Sequence, residues 1–215
     1  MKLWHCNSAR SLRPLWALEE MQFEYELEVL PFPPRALHKE FLGTNKLGTV
    51  PYFVDGEVKM TESTGICQYL VDRYQKSEFG IAVDHPEYGG YLNWLHQSDA
   101  TLTFPLTLSL RYLVFEPGKA DQVGIDYARW HIARLRMLDE WLLSHQYLCD
   151  ERFTIADIAV AYALFLGEVI GVSEHYSEQT KDYLARMMQR PAFIRAQART
   201  PDEVQWPKIQ LPDRG

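Results

Sequence analysis

An Asp-Gly pair, Asp55-Gly56, sits between two short strand-like runs, Val50-Pro51-Tyr52-Phe53-Val54 and Glu57-Val58-Lys59-Met60-Thr61. Asp-Gly tolerates the positive φ angles of a tight two-residue turn, so the pair joins the two runs into a hairpin. Pro51 has no N–H to give to a ladder, which confines it to the head of its strand. Directly after the hairpin the pattern changes. From Ser63 to Tyr74 the apolar residues Ile66, Tyr69, Leu70 and Tyr74 recur at helical spacing. A hairpin that feeds a helix places this part of the chain in a mixed α/β unit.

The residues before the hairpin have the same grammar. Leu3-Trp4-His5-Cys6 reads as a strand, Asn7 to Ser11 as a polar turn, and Leu12 to Met21 as a helix with Leu15, Leu18 and Met21 three apart. Pro14 fits only in the first turn of that helix, where its missing N–H costs nothing. Tyr25 to Val29 reads as a second strand, and Pro31-Phe32-Pro33-Pro34 as loop. After Lys76 the strand signals stop. Residues 78–87, with Gly80 and Pro86, read as a linker. Tyr88 to Phe115 reads as one long helix that Pro105 kinks. Ala120 to His145 carries Leu135, Leu138 and Leu142 on one stripe with Trp130, Met137 and Trp141 beside it, a width that predicts a packed bundle helix. Thr154 to Val172 and Ser177 to Gln189 are further helices, Pro191 starts a last short one, and the tail from Pro201 is irregular. The expected domains are an α/β domain over 1–77 and an all-helical domain over 88–215, joined by 78–87.

Composition narrows the function classes. With 215 residues, 47% of them hydrophobic, the chain can bury a full core without disulfides or a structural metal. A net charge of −7 argues against a general nucleic-acid binder. Cys6, Cys67 and Cys149 form no CxxC pair, which suits a reducing compartment. The N-terminus turns polar too soon for a signal peptide, and no apolar run reaches the ~20 residues of a membrane span. Cytoplasmic location and no membrane contact are therefore expected. The seven histidines show no metal-ligand spacing and no Gly-rich phosphate loop is present, so neither a metal nor a nucleotide is implied.

The whole stretch from Gly48 to Ser63, with a proline heading a strand, the Asp-Gly turn and Glu62-Ser63 opening a helix, resembles the glutathione-binding half of cytosolic glutathione transferases. In that family a thioredoxin-like α/β domain precedes an all-α helical bundle, the division read above. Phe153-Thr154-Ile155-Ala156-Asp157-Ile158 is similar to the family's capping box with hydrophobic staple. The resemblance implies an enzyme that binds glutathione as co-substrate, holds its thiolate and directs the sulfur at a small hydrophobic electrophile, usually as a homodimer. Peroxide or thiol-disulfide reduction, a specialised isomerase, dehalogenase or ether-cleaving reaction, and a ligand-binding or scaffold role are the alternatives.

Site residues follow from matching positions. A helix N-terminus is an anion site, so Ser63 suits the carboxylate and Glu62 the ammonium of a γ-glutamyl group. Pro51 corresponds to the family's cis-proline, leaving the N–H and C=O of Val50 to pair with the glutathione backbone. The thiol needs a donor aimed at its sulfur. The turn Asn7-Ser8-Ala9-Arg10-Ser11 resembles the serine-type turn of bacterial and theta-like members, with the active-site position on Ser8. Ser11 is the rival, with a plain helix cap as its structural reading. Asn7, Arg10 and backbone N–H groups remain open. Cys6 reads either as a partner for a mixed disulfide or as an inert small hydrophobe. His38, Lys39 and Lys46 are candidates for the glycine carboxylate, Thr49 standing where lysine is usual. Asp99 is a candidate for the ammonium, and Trp94, Phe104, Leu108 and Tyr112 for a second-substrate pocket.

Overall fold

A computed structural model describes residues 1–200 and 206–212; of the tail expected to be irregular, 201–205 and 213–215 lie outside the described residues. Two compact units are present: Met1–Gly80 joined by the last helix, and Ile81–Met187 joined by the described part of the tail.

The first unit is built on four strands: β1 (Lys2–His5), β2 (Glu26–Val29), β3 (Tyr52–Asp55) and β4 (Val58–Met60), in the order β2-β1-β3-β4. β1 and β2 are parallel, while β3 runs antiparallel to β1 and β4 antiparallel to β3. Helix α1 (Leu12–Glu20) makes the parallel crossover, and α4 (Ser63–Arg73) follows the hairpin. Asp55 pairs with Val58, so the turn residues are Gly56 and Glu57, with Gly56 at φ +58. Glycine at the first of two turn positions is the pattern of a type II′ hairpin. Asp55 itself stays in the ladder and accepts hydrogen bonds from Tyr69 at 2.9 Å and Tyr74 at 2.5 Å, tying α4 to the hairpin. Those two hydroxyls hold its carboxyl below the usual range.

Alternation divides the sheet. Trp4 and Tyr52 point to one face and pack with Cys6, Leu30 and Phe41. Leu3 and Phe53, their alternating neighbours, are fully buried. The proline run is not all loop. Pro34 occupies the first turn of a one-turn helix, α2 (Pro34–Leu37), where its missing N–H is harmless, and α3 (Phe41–Thr44) follows.

The last helix, α11 (Pro191–Ala198), read from sequence as part of the helical domain, packs against α1. Phe193 meets Trp16 edge-on with centroids 4.9 Å apart. Around that contact Arg190 grips Glu20 through two bonds, and Arg195 and Arg199 converge on Glu19, which also accepts from Tyr25.

The second unit is helical: α5 (Tyr88–Gln97), α6 (Phe104–Leu110), α7 (Asp121–Arg134), α8 (Arg136–Trp141), α9 (Ile155–Val169) and α10 (Glu178–Met188). The long helix expected over 88–115 is interrupted twice, by π-helical turns at Ser98–Thr103 and Arg111–Phe115. The first lies just before Pro105, so a widened turn accommodates what a kink at proline was expected to absorb; Thr103 Oγ1 donates to the Ser98 carbonyl at 2.7 Å. The helix expected over 120–145 breaks at Leu135, and only Leu135 and Leu138 of the expected stripe and its flank are fully inside. Trp130 and Met137 are about half exposed, Trp130 stacking on Tyr127 beneath Arg134.

Helix α9 is the central helix, buried along almost its whole length. Its start is the expected capping box: Thr154 caps the first turn and Asp157 returns to the Thr154 N–H at 2.8 Å. Asp157 also accepts from Leu148 N and Tyr183 Oη. Burial pushes its carboxyl up to about 6 despite these donors. His131 is sealed in the same unit, with Nδ1 3.0 Å from the Leu102 carbonyl and Nε2 2.9 Å from Tyr176 Oη. No helix among the described residues is long and apolar enough to cross a membrane.

Candidate functional site

Strand register decides what gathers at one end of the first unit. Because β1 and β3 are antiparallel with Trp4 opposite Tyr52, the residues after β1 emerge beside the residues before β3. The turn from Cys6 to Ser11 therefore shares a sheet end with Val50-Pro51. That end also holds the start of α4, because Arg13 Nη1, in the first turn of α1, lies 3.0 Å from Ser63 Oγ.

The Val50–Pro51 peptide is cis, as is Phe32–Pro33, which the sequence did not announce. Pairing of β3 with β1 begins at Tyr52, so Val50 stands outside the ladder. Ser63 is the first residue of α4 and is almost fully buried, with exposed Glu62 as the N-cap. Neither side chain caps the helix, so the plain-cap reading of this pair finds no hydrogen bond here.

Ser8 is buried, adopts φ +57 and donates from Oγ to Asn7 Oδ1 at 3.2 Å. A non-glycine residue in the left-handed region costs on the order of 1–2 kcal/mol, and such conformations concentrate where a site fixes the backbone. Ser11 behaves differently. Its Oγ lies 2.8 Å from His5 Nδ1 and 3.3 Å from Cys6 N, and makes no cap bond to α1. The helix-cap reading of Ser11 is thus corrected: the hydroxyl turns back to the end of β1. One arrangement pairs every group at the serine: His5 Nδ1–H and Cys6 N–H donate to Ser11, whose own proton goes to the Cys6 carbonyl at 3.5 Å. His5 Nε2 is then a bare buried lone pair with no partner, and burial holds this imidazole neutral, with its pKa pushed down to about 4. Cys6 is fully buried and its thiol is pushed up to about 12 by that burial, which fits the small-hydrophobe reading.

The other candidates are dispersed. His38 ends α2 with Nδ1 3.9 Å from Glu40, while Lys39 and Lys46 are exposed on either side of α3. In the second unit Asp99 lies in the first π-helical turn, half-buried. Trp94 is turned into the helical core against Trp141. Phe104 is half exposed, with Leu108 and Tyr112 partly so, at four-residue intervals on α6 and its continuation. Arg13 was not singled out from the sequence. A cation flanked by Leu12, Pro14, Leu15 and Trp16 on a helix was the available signal, since arginine goes fully inside only with partners.

Comparison with known proteins agrees with this architecture. The family model for the glutathione S-transferase N-terminal domain matches residues 1–72, and that for the C-terminal domain matches residues 130–191. Glutathione S-transferase 3 of Schizosaccharomyces pombe is 28% identical over 88% of this chain and 84% of its own length. Glutathione S-transferase 1 of Zea mays is 27% identical over 92% of this chain and 96% of its own. Among solved structures, the ternary complex of BphK, a bacterial GST, superposes with a TM-score of 0.80 at 24% identity, covering 93% of this chain and 98% of that one. A sphingomonad glutathione S-transferase complexed with glutathione gives 0.77 at 24% identity over the same shares. The chain belongs to the glutathione S-transferase family. It is a glutathione transferase with the thioredoxin-like and helical domains of that family.

Proposed function

We propose that this enzyme binds glutathione at the sheet end of its first unit and presents the sulfur as a thiolate to a small hydrophobic electrophile. The γ-glutamyl carboxylate is received by the N–H groups and hydroxyl at Ser63, its ammonium by Glu62, and the cysteinyl backbone by Val50 beside Pro51. Asp99 is a further candidate for the ammonium, and His38, Lys39 and Lys46 for the glycine carboxylate. Ser8 is the donor to the sulfur. A hydroxyl bonds the thiolate better than the thiol and so lowers the sulfur's pKa. Phe104, Leu108 and Tyr112 offer apolar surface for the electrophile, while Trp94 is held against Trp141 in the helical core. Cytoplasmic location and a homodimer rest on the family alone.

The observation that carries this reading is the gathering of Ser8, Val50-Pro51 and Ser63 at one sheet end. Preference for Ser8 over Ser11 is supported by the burial of the Ser11 hydroxyl among His5 and Cys6. A buried thiol at Cys6 supports transfer rather than disulfide exchange through this chain's own sulfur. The test is calorimetric titration with glutathione. Glu62→Ala and Ser63→Ala should each weaken binding about ten- to a hundredfold, the worth of one charge-assisted contact. Unchanged affinity in both variants would place the γ-glutamyl group elsewhere. Turnover of an aryl halide, a hydroperoxide and a mixed disulfide, side by side, then separates transfer from reduction.

A further inference from the structure

Arg13 is fully buried in the first turn of α1, between Leu12 and Pro14 and one turn from Trp16. Its Nη1 donates to Ser63 Oγ at 3.0 Å, across 50 residues of sequence. A hydroxyl oxygen has two lone pairs and one proton. With a lone pair held by the guanidinium, the Ser63 proton is left to point away from Arg13. The same positive charge reaches Cys67, one turn further along α4, where it opposes the effect of burial on the thiol. Arg13 thus places a full, permanent charge beneath the first turn of α4, whose free N–H groups already amount to about half a charge. Buried charge is screened far less by salt than surface charge.

We propose that Arg13 is a positioning residue for the α-carboxylate of the γ-glutamyl group. It acts through Ser63, fixing the hydroxyl as a donor and adding attraction for an anion, without touching the ligand. This inference rests on the glutathione reading above and extends it to a residue outside the binding surface. It also gives a reason for a cation within an apolar helix face, where a leucine or methionine would pack without desolvation cost.

The experiment compares two ligands on each variant: S-hexylglutathione and its analogue lacking the γ-glutamyl α-carboxylate. The affinity ratio is read on the folded fraction, so a loss of stability alone does not move it. Wild type should favour the carboxylate ligand about tenfold or more. Arg13→Gln should cut the ratio several-fold, and Arg13→Met, an apolar replacement of similar length, should do the same and serves if Gln does not fold. Arg13→Lys, which keeps the charge, should recover part of it. Ser63→Ala should lower the ratio, and adding Arg13→Gln or Arg13→Met to it should lower it by less than in the wild-type background. A wild-type ratio in both Arg13→Gln and Arg13→Met, with Ser63→Ala impaired, would overturn the role of Arg13 and leave the site intact. The absence of any carboxylate preference in wild type would overturn the glutathione reading itself, and this inference with it.

Discussion

At the scale of single residues, the turn after β1 carries two serines with opposite fates. Ser11 is enclosed between His5 and Cys6, whereas Ser8 sits in the left-handed region beside Asn7. The positive φ at Ser8 separates its structural cost from its proposed chemistry. Ser8→Ala removes the hydroxyl and keeps the strain; Ser8→Gly removes both, because glycine enters this region freely. Ser8→Gly should therefore be more stable than Ser8→Ala by about 1 kcal/mol, measured by urea unfolding. Both variants should raise the pKa of bound glutathione by the same amount, followed by thiolate absorbance against pH. If neither moves it, the activator is the set of N–H groups at the start of α1. If Ser11→Ala alone moves it, the catalytic assignment shifts by three residues. Neither the left-handed angle nor the His5–Ser11 bond was legible in the sequence, since both depend on how β1 meets α1 in space.

Elements were more legible than their partners. The hairpin, with its turn one residue later at Gly56-Glu57, the helix from Ser63 and the capping box at Thr154 follow from local chemistry, because turn and cap residues act over a few positions. What the sequence concealed is non-local. The register that brings Val50 beside the Cys6–Ser11 turn, and the packing of α11 on α1, join residues far apart in the chain. The exposed Trp130 shows the converse error, an apolar stripe read as core where a cation–π stack with Arg134 covers it instead. For α11 the relative weights of contact can be tested. Phe193 is buried against Trp16, so Phe193→Ala should cost ~3–5 kcal/mol. Arg195 is half exposed, and Arg195→Ala should cost ~1 kcal/mol or less. Urea midpoints of the two variants decide it; a larger loss for Arg195→Ala would mean that ion pairs, rather than the aromatic contact, hold the helix.

At the scale of the whole molecule, His5, His131 and Asp157 among the described residues shape how stability follows pH between about 6.5 and 5, and their signs differ. His5 and His131 are neutral when folded, with pKa values pushed down to about 4 by burial. Unfolded, each takes up a proton near pH 6.5. Between these limits the unfolded chain binds more protons, so both histidines make stability fall as pH drops from about 6.5 towards 4. Asp157 acts the other way. Its carboxyl is raised to about 6 when folded against an ordinary value near 3.9, so from about pH 6 downward the folded state gains the extra proton. Two histidines against one aspartate leave about one proton taken up on unfolding between about pH 6 and 5, or ~1 kcal/mol of stability lost per pH unit, and nearer pH 4.5 the lowered carboxyls of Glu19 and Asp55 steepen the loss. Unfolding in urea at pH 7, 6, 5 and 4.5 should show that slope, and stability that rises on acidification would contradict it. Asp157→Asn removes the opposing group. Whatever it costs in absolute stability through the capping box, its slope should steepen to about two protons. His131→Gln should flatten the wild-type slope towards zero, because the remaining histidine and Asp157 then nearly cancel. An unchanged slope in Asp157→Asn would mean that this carboxylate stays ionised throughout, held by Thr154, Leu148 and Tyr183 more strongly than burial opposes it.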